Sequence, residues 1–185
     1  MIKTLVFLLE EPSAKAMLTG VLPRILPLGI EHYCRVFHGK QDLERNLVRC
    51  LKGWQLPNSA FVILRDQDGG DCVAIKQKLT DLCRQTDHKN VLVRIACHEL
   101  ESFYLGDLPA VEKGLGLKGI AEQQNTSKFR LPDHLGNPSE EMTMLTRGKY
   151  QKMAGSRAIA PHLNLSANRS HSFNVLLAGI RRLVA

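Results

Sequence analysis

The sequence predicts an α/β protein, with a mostly parallel four-stranded central sheet flanked by helices and a helical, basic C-terminal extension. Three observations carry that prediction. Four short apolar runs, each too short for a helix and bounded by turn residues, read as buried strands. Stretches with apolar residues at helical spacing separate them, which gives a βαβαβαβ order. Strands joined through such crossovers lie parallel, with right-handed connections and helices on both faces.

The elements follow in order. Ile2 to Leu9 is apolar apart from Lys3 and Thr4 and forms the first strand. Glu10-Glu11-Pro12-Ser13 ends it, and Ser13 or the acids ahead of it cap a helix over Ala14 to Leu22, which Pro23 and Pro27 stop. Glu31 to Phe37 alternates weakly and is the second strand. Asp42 to Trp54 places Leu43, Leu47, Leu51 and Trp54 on one helical stripe. Phe61 to Leu64 is the third strand. After it, Asp71 caps a helix over Val73 to Cys83 that carries Ile75, Leu79, Leu82 and Cys83 at helical spacing. Asn90 to Cys97, rich in valine and isoleucine, is the fourth strand. Beyond it, Asp107 to Ile120 holds a short helix. Gln123 to Pro138 reads as a long surface loop, because Asn, Ser, Pro and Gly recur through it. Glu140 to Arg147 and a final helix over Ser172 to Leu183, capped from Asn168 or Ser170, close the chain. The expected organisation is a core over residues 1–107 and an extension over 108–185 packed on the same domain.

An apolar fraction of 44% and a charged fraction of 23% are those of an ordinary soluble globular protein. No apolar run is long enough for a membrane span. Leu5 to Leu9 is too short for a signal segment and runs straight into Glu10 and Glu11, so the expectation is a cytoplasmic protein with no membrane partner. The five cysteines, Cys34, Cys50, Cys72, Cys83 and Cys97, are odd in number and contain no CxxC pair, which favours reduced thiols over disulfides or zinc. No GxxxxGK[ST] occurs, which excludes a P-loop ATPase, and no GxSxG elbow supports a hydrolase triad.

The charge is unevenly placed. No Asp or Glu lies beyond Glu141, whereas Arg147, Lys149, Lys152, Arg157, Arg169, Arg181 and Arg182 do; these seven equal the whole net charge of +7. A neutral body with a basic tail points to a polyanionic partner, the alternative being a solvated basic face.

The acids cluster in the opposite sense, at strand ends. Asp66 and Asp68 follow the third strand at i, i+2, a spacing that puts both side chains on one face of an extended backbone, and Gly69-Gly70 then breaks the strand. Glu10 and Glu11 follow the first strand, and Glu99 and Glu101 the fourth. A parallel sheet presents all its carboxyl ends on one side, so six carboxylates can converge there. Clustered carboxylates repel one another, and hard oxygen ligands suit Mg²⁺ or Mn²⁺. Ordinary alternatives exist for each pair: first-turn acids for Glu10 and Glu11 and for Glu99 and Glu101, turn formers for Asp66 and Asp68. A haloacid-dehalogenase-type phosphatase also uses DxD, but after its first strand rather than its third.

A Glu after the first strand followed by a DxD after the third resembles the Toprim domain of topoisomerases, primases and overcoming-lysogenization-defect (OLD) nucleases, and Glu99-Leu100-Glu101 resembles the extra acidic motif of the OLD branch. Glu10-Glu11-Pro12-Ser13, Arg65-Asp66-Gln67-Asp68-Gly69-Gly70-Asp71-Cys72 and Arg94-Ile95-Ala96-Cys97-His98-Glu99-Leu100-Glu101 together resemble a small standalone Toprim-like family of unknown function, often encoded beside an AAA-type ATPase in bacterial defence-type operons. The resemblance spans residues 1–107 and extends to Tyr150-Gln151-Lys152 and to Ser156 through His162. It implies a Toprim-like, Rossmann-like fold and a divalent-metal-dependent nuclease-type phosphodiester hydrolase acting on nucleic acid, DNA ahead of RNA, in phage defence or DNA repair. It also implies an AAA-type ATPase partner, and a homodimer is a further expectation.

Carried over by position, Glu10, Glu11, Asp66, Asp68, Glu99 and Glu101 are the metal ligands, with Glu10 or Glu11 free to act as general base. Lys152, which lies in the acid-free tail and in the family-like stretch, is read as the cation that stabilises the phosphorane charge, the alternative being a plain surface lysine, and Arg147, Lys149, Lys152, Arg157 and Arg169 follow the phosphate backbone. OLD nucleases place a second Glu four residues after the first; here that position is Ala14, so a second metal would need Glu11 instead. The topoisomerase reading is disfavoured, since its covalent tyrosine comes from another domain, and Tyr33, Tyr104 and Tyr150 are read as packing residues. The alternative function is a non-catalytic or conditionally active nucleic-acid-binding subunit of an ATPase complex. His98, His162 and His171 stand between metal or phosphate contacts and structural histidines.

Overall fold

The strands form where the apolar runs lie. The computed structural model, which describes Met1 to Ala185, has β1 (Thr4–Leu9), β2 (Glu31–Val36), β3 (Ser59–Asp66) and β4 (Val91–Ala96) in one parallel sheet of order β2-β1-β3-β4. β1 is buried throughout and β3 at all but its first residue, because both faces of these central strands are covered. That is why they read as continuous apolar runs instead of alternating. β3 continues two residues past Leu64, because Arg65 and Asp66 stay in register with Ile95 and Ala96 and are themselves buried. Their charges hide this extension from hydrophobic periodicity.

Helices α2 (Lys40–Lys52) and α3 (Cys72–Arg84) cover one face. They pack Leu43, Leu47, Leu51, Leu79 and Cys83 on Val6, Leu8, Phe61 and Ile63. The other face is covered by α1 (Pro12–Val21) and by α4 (Ser102–Leu105), α5 (Leu108–Leu115), α6 (Pro138–Leu145), α7 (Lys152–Ile159) and α8 (His171–Val184). One apolar cluster runs there from Leu5 of β1 to Ile180 of α8. Asp71, Asp107 and Ser170 cap α3, α5 and α8, their side-chain oxygens accepting from the N–H of Ala74, Ala110 and Phe173. α1 starts at Pro12 rather than Ala14, since proline suits a first helical position whose N–H needs no partner. Neither Ser13 nor the acids cap its backbone; the Ser13 hydroxyl donates instead to Glu11 Oε2 at 3.0 Å. Trp54 lies past the end of α2, and its indole N–H donates to Ser59 Oγ at 2.8 Å.

α7 has no counterpart in the sequence reading, because its eight residues carry a glycine and a serine and only a weak apolar stripe. It forms through tertiary packing: Gly155 sits against the ring of Tyr150, where a Cβ would lie 2.3 Å from Cδ2. The segment expected as a long surface loop is fastened down. Ala121–Asn125 and Pro132–His134 are short 3₁₀ turns, and buried Gln124 donates from Nε2 to Leu105 O and Phe129 O. All five cysteines are unpaired, Cys83 buried and the others half-buried. No helix is long and apolar enough to cross a membrane.

Asn168, 4% exposed, ties the last helix to the strand-end region: Nδ2 donates to Phe103 O and Oδ1 accepts from Ser170 N, both at 2.8 Å. Asn168→Ala strands these buried partners, and chemical denaturation should show a loss of roughly 1–3 kcal/mol.

Candidate acidic site at the strand ends

In this sheet the chain order reverses between β1 and β3, and the crevice outside the carboxyl ends at such a point is where open α/β sheets hold ligands. Glu10 is the first residue past β1 and Asp66 the last of β3. Glu10 N–H donates to Leu64 O at 3.3 Å, and Asp66 N–H donates to Glu10 Oε2 at 3.1 Å, so strand pairing itself holds the Glu10 carboxylate at the end of β3. Both residues are buried, as is Glu101 just before α4. Glu101 Oε1 accepts from the Tyr150 hydroxyl at 2.8 Å, while Glu101 Oε2 is buried with no partner. Over these acids stands Lys152, the first residue of α7, its Nζ 3.3 Å from Glu11 Oε2. A groove of about 720 Å³ opens beside Glu10 and Glu11, lined also by Lys15, His38, Met153 and Arg157.

Burial sets the electrostatics. It raises the Asp66 carboxyl well above the usual range, with the charges of Glu101, Glu11 and Glu10 adding to the effect. Burial also raises Glu10, against the stabilising Asp66 N–H, and raises Glu101 against Lys152 and the Tyr150 hydroxyl. Partial burial opposes protonation of Lys152, but the carboxylates of Glu101 and Glu11 outweigh it and its pKa rises. Four acids therefore share one field, with Lys152 above them and the buried Arg65 guanidinium 3.8 Å from Glu10 Oε2.

Asp68 and Glu99 stand apart from this group. Asp68 lies beyond the strand in the left-handed region (φ 53°), so the alternation that would have put it on the face of Asp66 has already ended. Its N–H donates to His98 O at 2.7 Å, and its carboxylate pairs with Lys40 at 2.8 Å, although its charge still reaches Glu10. Glu99 Oε2 accepts from Ser139 N at 2.7 Å. With His98, Asn137 and Glu140, these two acids line a separate polar depression of about 430 Å³.

The basic residues divide as well. Arg147 and Lys149 line a cleft of about 550 Å³ with Lys118 and Lys128, whereas Arg157 lies on the groove beside Glu10. Arg169 is committed to structure, donating to Gln124 O at 2.6 Å and to Asn125 Oδ1. Sequence reasoning missed Tyr150 as a member of the site and Lys40 as the partner of Asp68. Tyr150 stood inside the quoted Tyr150-Gln151-Lys152 stretch, which was its only signal; nothing in the sequence marked Lys40.

No three His, Cys, Asp or Glu side chains are drawn to metal-ligating separation. The donor set nonetheless suits a divalent cation. It is all hard oxygen, buried Glu101 Oε2 has no partner, and the carboxyls repel. Mg²⁺ keeps several waters and needs only one or two direct carboxylates. Asp66, with Glu10 or Glu101, is the pair placed to provide them.

A family model described as Domain of unknown function (DUF4276) matches residues 9–181. No curated protein matches the sequence. Among solved structures, the fold is similar to the C-terminal region of the Burkholderia pseudomallei OLD protein, with a TM-score of 0.55 and 19% identity over 100% of both chains. It is also similar to the C-terminal region of the Xanthomonas campestris pv. campestris OLD protein, with a TM-score of 0.49 and 16% identity over 100% of this chain and 96% of that one. At these identities the first likeness speaks for a shared OLD-type, Toprim-like fold.

In the unfolded chain Asp66 ionises near pH ~4. With its folded pKa raised, the folded protein holds the extra proton above that pH, and stability falls as pH rises until the folded pKa is passed. Asp66→Asn removes this penalty. Its melting temperature should exceed that of the metal-free wild type by a few degrees at pH 8, and the gap should close below about pH 4; no gap at pH 8 would show that Asp66 carries no such burden.

Proposed function

The chain belongs to the family described as Domain of unknown function (DUF4276), and from that premise we propose that it is a Mg²⁺- or Mn²⁺-dependent nuclease-type phosphodiester hydrolase acting on nucleic acid, DNA ahead of RNA, in phage defence or DNA repair. The observation that carries the reading is the convergence of Glu10, Asp66 and Glu101 at the β1/β3 crevice beneath Lys152. The OLD-type fold, the acidic motifs that resemble the OLD branch and the acid-free basic tail support it.

In this reading Asp66 and Glu101 would hold the cation, which when bound would supply Lewis-acid polarisation of the phosphoryl oxygens and neutralise their charge. Glu10 uses Oε2 to accept from Asp66 N–H, and its Oε1 accepts the proton of the attacking water, a role its raised pKa suits. Lys152 stays protonated and offsets the negative charge that builds on the phosphoryl group. Tyr150 orients Glu101 by its hydroxyl bond. Arg147, Lys149 and Arg157 contact backbone phosphates. Asp68 and Glu99 serve a second, adjacent ion or remain polar walls of their own depression.

A second reading, supported by the motifs that resemble a family often encoded beside an AAA-type ATPase, is a conditionally active nucleic-acid-binding subunit of an ATPase complex; nuclease activity that appears only on adding that ATPase would select it.

Pure protein with Mn²⁺ should cleave DNA, and Asp66→Asn should abolish cleavage while keeping the fold. Equal cleavage by both would place the activity elsewhere. Mn²⁺ should also raise the melting temperature of the wild type and not of Asp66→Asn. Lys152→Ala should lower kcat by about 10²–10³-fold with the Mn²⁺-induced stabilisation retained.

A further inference from the structure

The sheet has two outer strands, and they are treated differently. α8 flanks β4: Arg94 Nε donates to Val175 O at 3.2 Å, Cys97 N donates to Ser172 Oγ at 3.3 Å, and Gly179 lets α8 approach until a Cβ would lie 2.7 Å from Leu92 Cδ2. Each outer strand pairs with one neighbour, β4 with β3 and β2 with β1, but no helix makes a hydrogen bond to β2. Glu31 N and Phe37 N donate to Lys3 O and Leu9 O, so the odd-numbered residues turn their backbone groups to β1. The N–H and C=O groups of His32, Cys34 and Val36 then point out of the sheet. Glu31, His32, Tyr33 and Arg35 are exposed, Tyr33 at 46%.

An open edge of this kind is normally blocked by charged side chains, lysine above all, by proline or by a bulge. Between Glu31 and Val36 there is no lysine or proline, and the register with β1 is unbroken. The two charges on the strand are opposite in sign and sit symmetrically about Tyr33. We propose that β2 pairs antiparallel with β2 of a second copy of this chain, about a twofold axis at Tyr33, to make one eight-stranded sheet.

The register follows from charge. Outward-facing residues must oppose outward-facing residues, which allows twofold axes at His32, Tyr33 or Cys34. An axis at His32 sets Glu31 against Tyr33, and one at Cys34 sets Arg35 against Tyr33. Only the axis at Tyr33 sets Glu31 of each copy against Arg35 of the other, with His32 opposite Cys34 in the hydrogen-bonded pairs. Glu31, Tyr33 and Arg35 then fall in non-hydrogen-bonded pairs, where side chains approach most closely. The two Tyr33 rings meet on the face where each already packs edge-on against Trp54, at 5.7 Å between centroids. Because the twofold reverses strand direction, the two acidic crevices lie at opposite rims of the joined sheet and each is completed by its own chain.

The test is the mass of the full chain in solution, by sedimentation velocity across a concentration series, with circular dichroism as the folding control. The wild type should dimerise. Arg35→Glu, which sets Glu31 against a second carboxylate, should weaken the dimer by about tenfold or more, and so should Glu31→Arg. The double swap Glu31→Arg with Arg35→Glu should restore it to near the wild-type level. A wild type that stays monomeric at high micromolar concentration overturns the proposal, as does a dimer that Arg35→Glu leaves intact or a double swap no better than the single variants. None of these readouts depends on nuclease activity.

Discussion

The bond from Asp66 N–H to Glu10 Oε2 is the constraint on which the site depends. It is set by the parallel pairing of β1 with β3, in which Leu9 lies opposite Leu64. That register brings two carboxylates from separate strands into a buried crevice where, without a cation, they repel. Burying like charges is unfavourable, and the surroundings offset only part of it, through the backbone N–H groups of Asp66 and Leu100, the Tyr150 hydroxyl, Lys152 and the Arg65 guanidinium. Burial and mutual repulsion together hold these carboxyls above their usual pKa range.

The C-terminal part completes this site from above. Glu101 and Tyr150 are 49 residues apart, and Lys152 reaches Glu11 across 141. Both contacts rest on α7, which is held by Gly155 against the Tyr150 ring and buries Ile159 in the cluster that includes α1 residues. The tail that carries the excess positive charge thus also carries the groups that position Glu101 and balance the acids. Lys149 and Lys152 stand three residues apart, one lining a cleft with Arg147, Lys118 and Lys128 and the other 3.3 Å from Glu11 Oε2.

Separation of the six acids into two groups follows from where β3 stops. Asp66 is held in the sheet by its partner Ala96, whereas Asp68 takes a left-handed turn conformation and is bound to the β4 exit through His98 O. His98 adopts the same left-handed region, and aspartate and histidine are among the non-glycine residues that tolerate it. Such turns at two adjacent strand ends give Asp68 and Glu99 a polar depression of their own, while Asp66 and Glu101 stay buried, Asp66 coupled by charge to both Glu101 and Glu10.

The sequence by itself determined the four strands, the helices that cover both faces of the sheet, and the fact that acids follow β1, β3 and β4. These are local properties: central strands buried on both faces must be apolar throughout, and caps such as Asp71 and Ser170 act within three residues. Only the tertiary structure decided that Asp66 and Asp68 part company, that α7 forms, that Arg169 ties down the 121–125 turn instead of standing free, and that Tyr150 belongs to Glu101. Each of these depends on contacts between residues far apart in the chain, or on the residue at which strand pairing ends. Side-chain alternation holds only while a strand continues, and a hydroxyl 49 residues away leaves no periodic trace in the sequence.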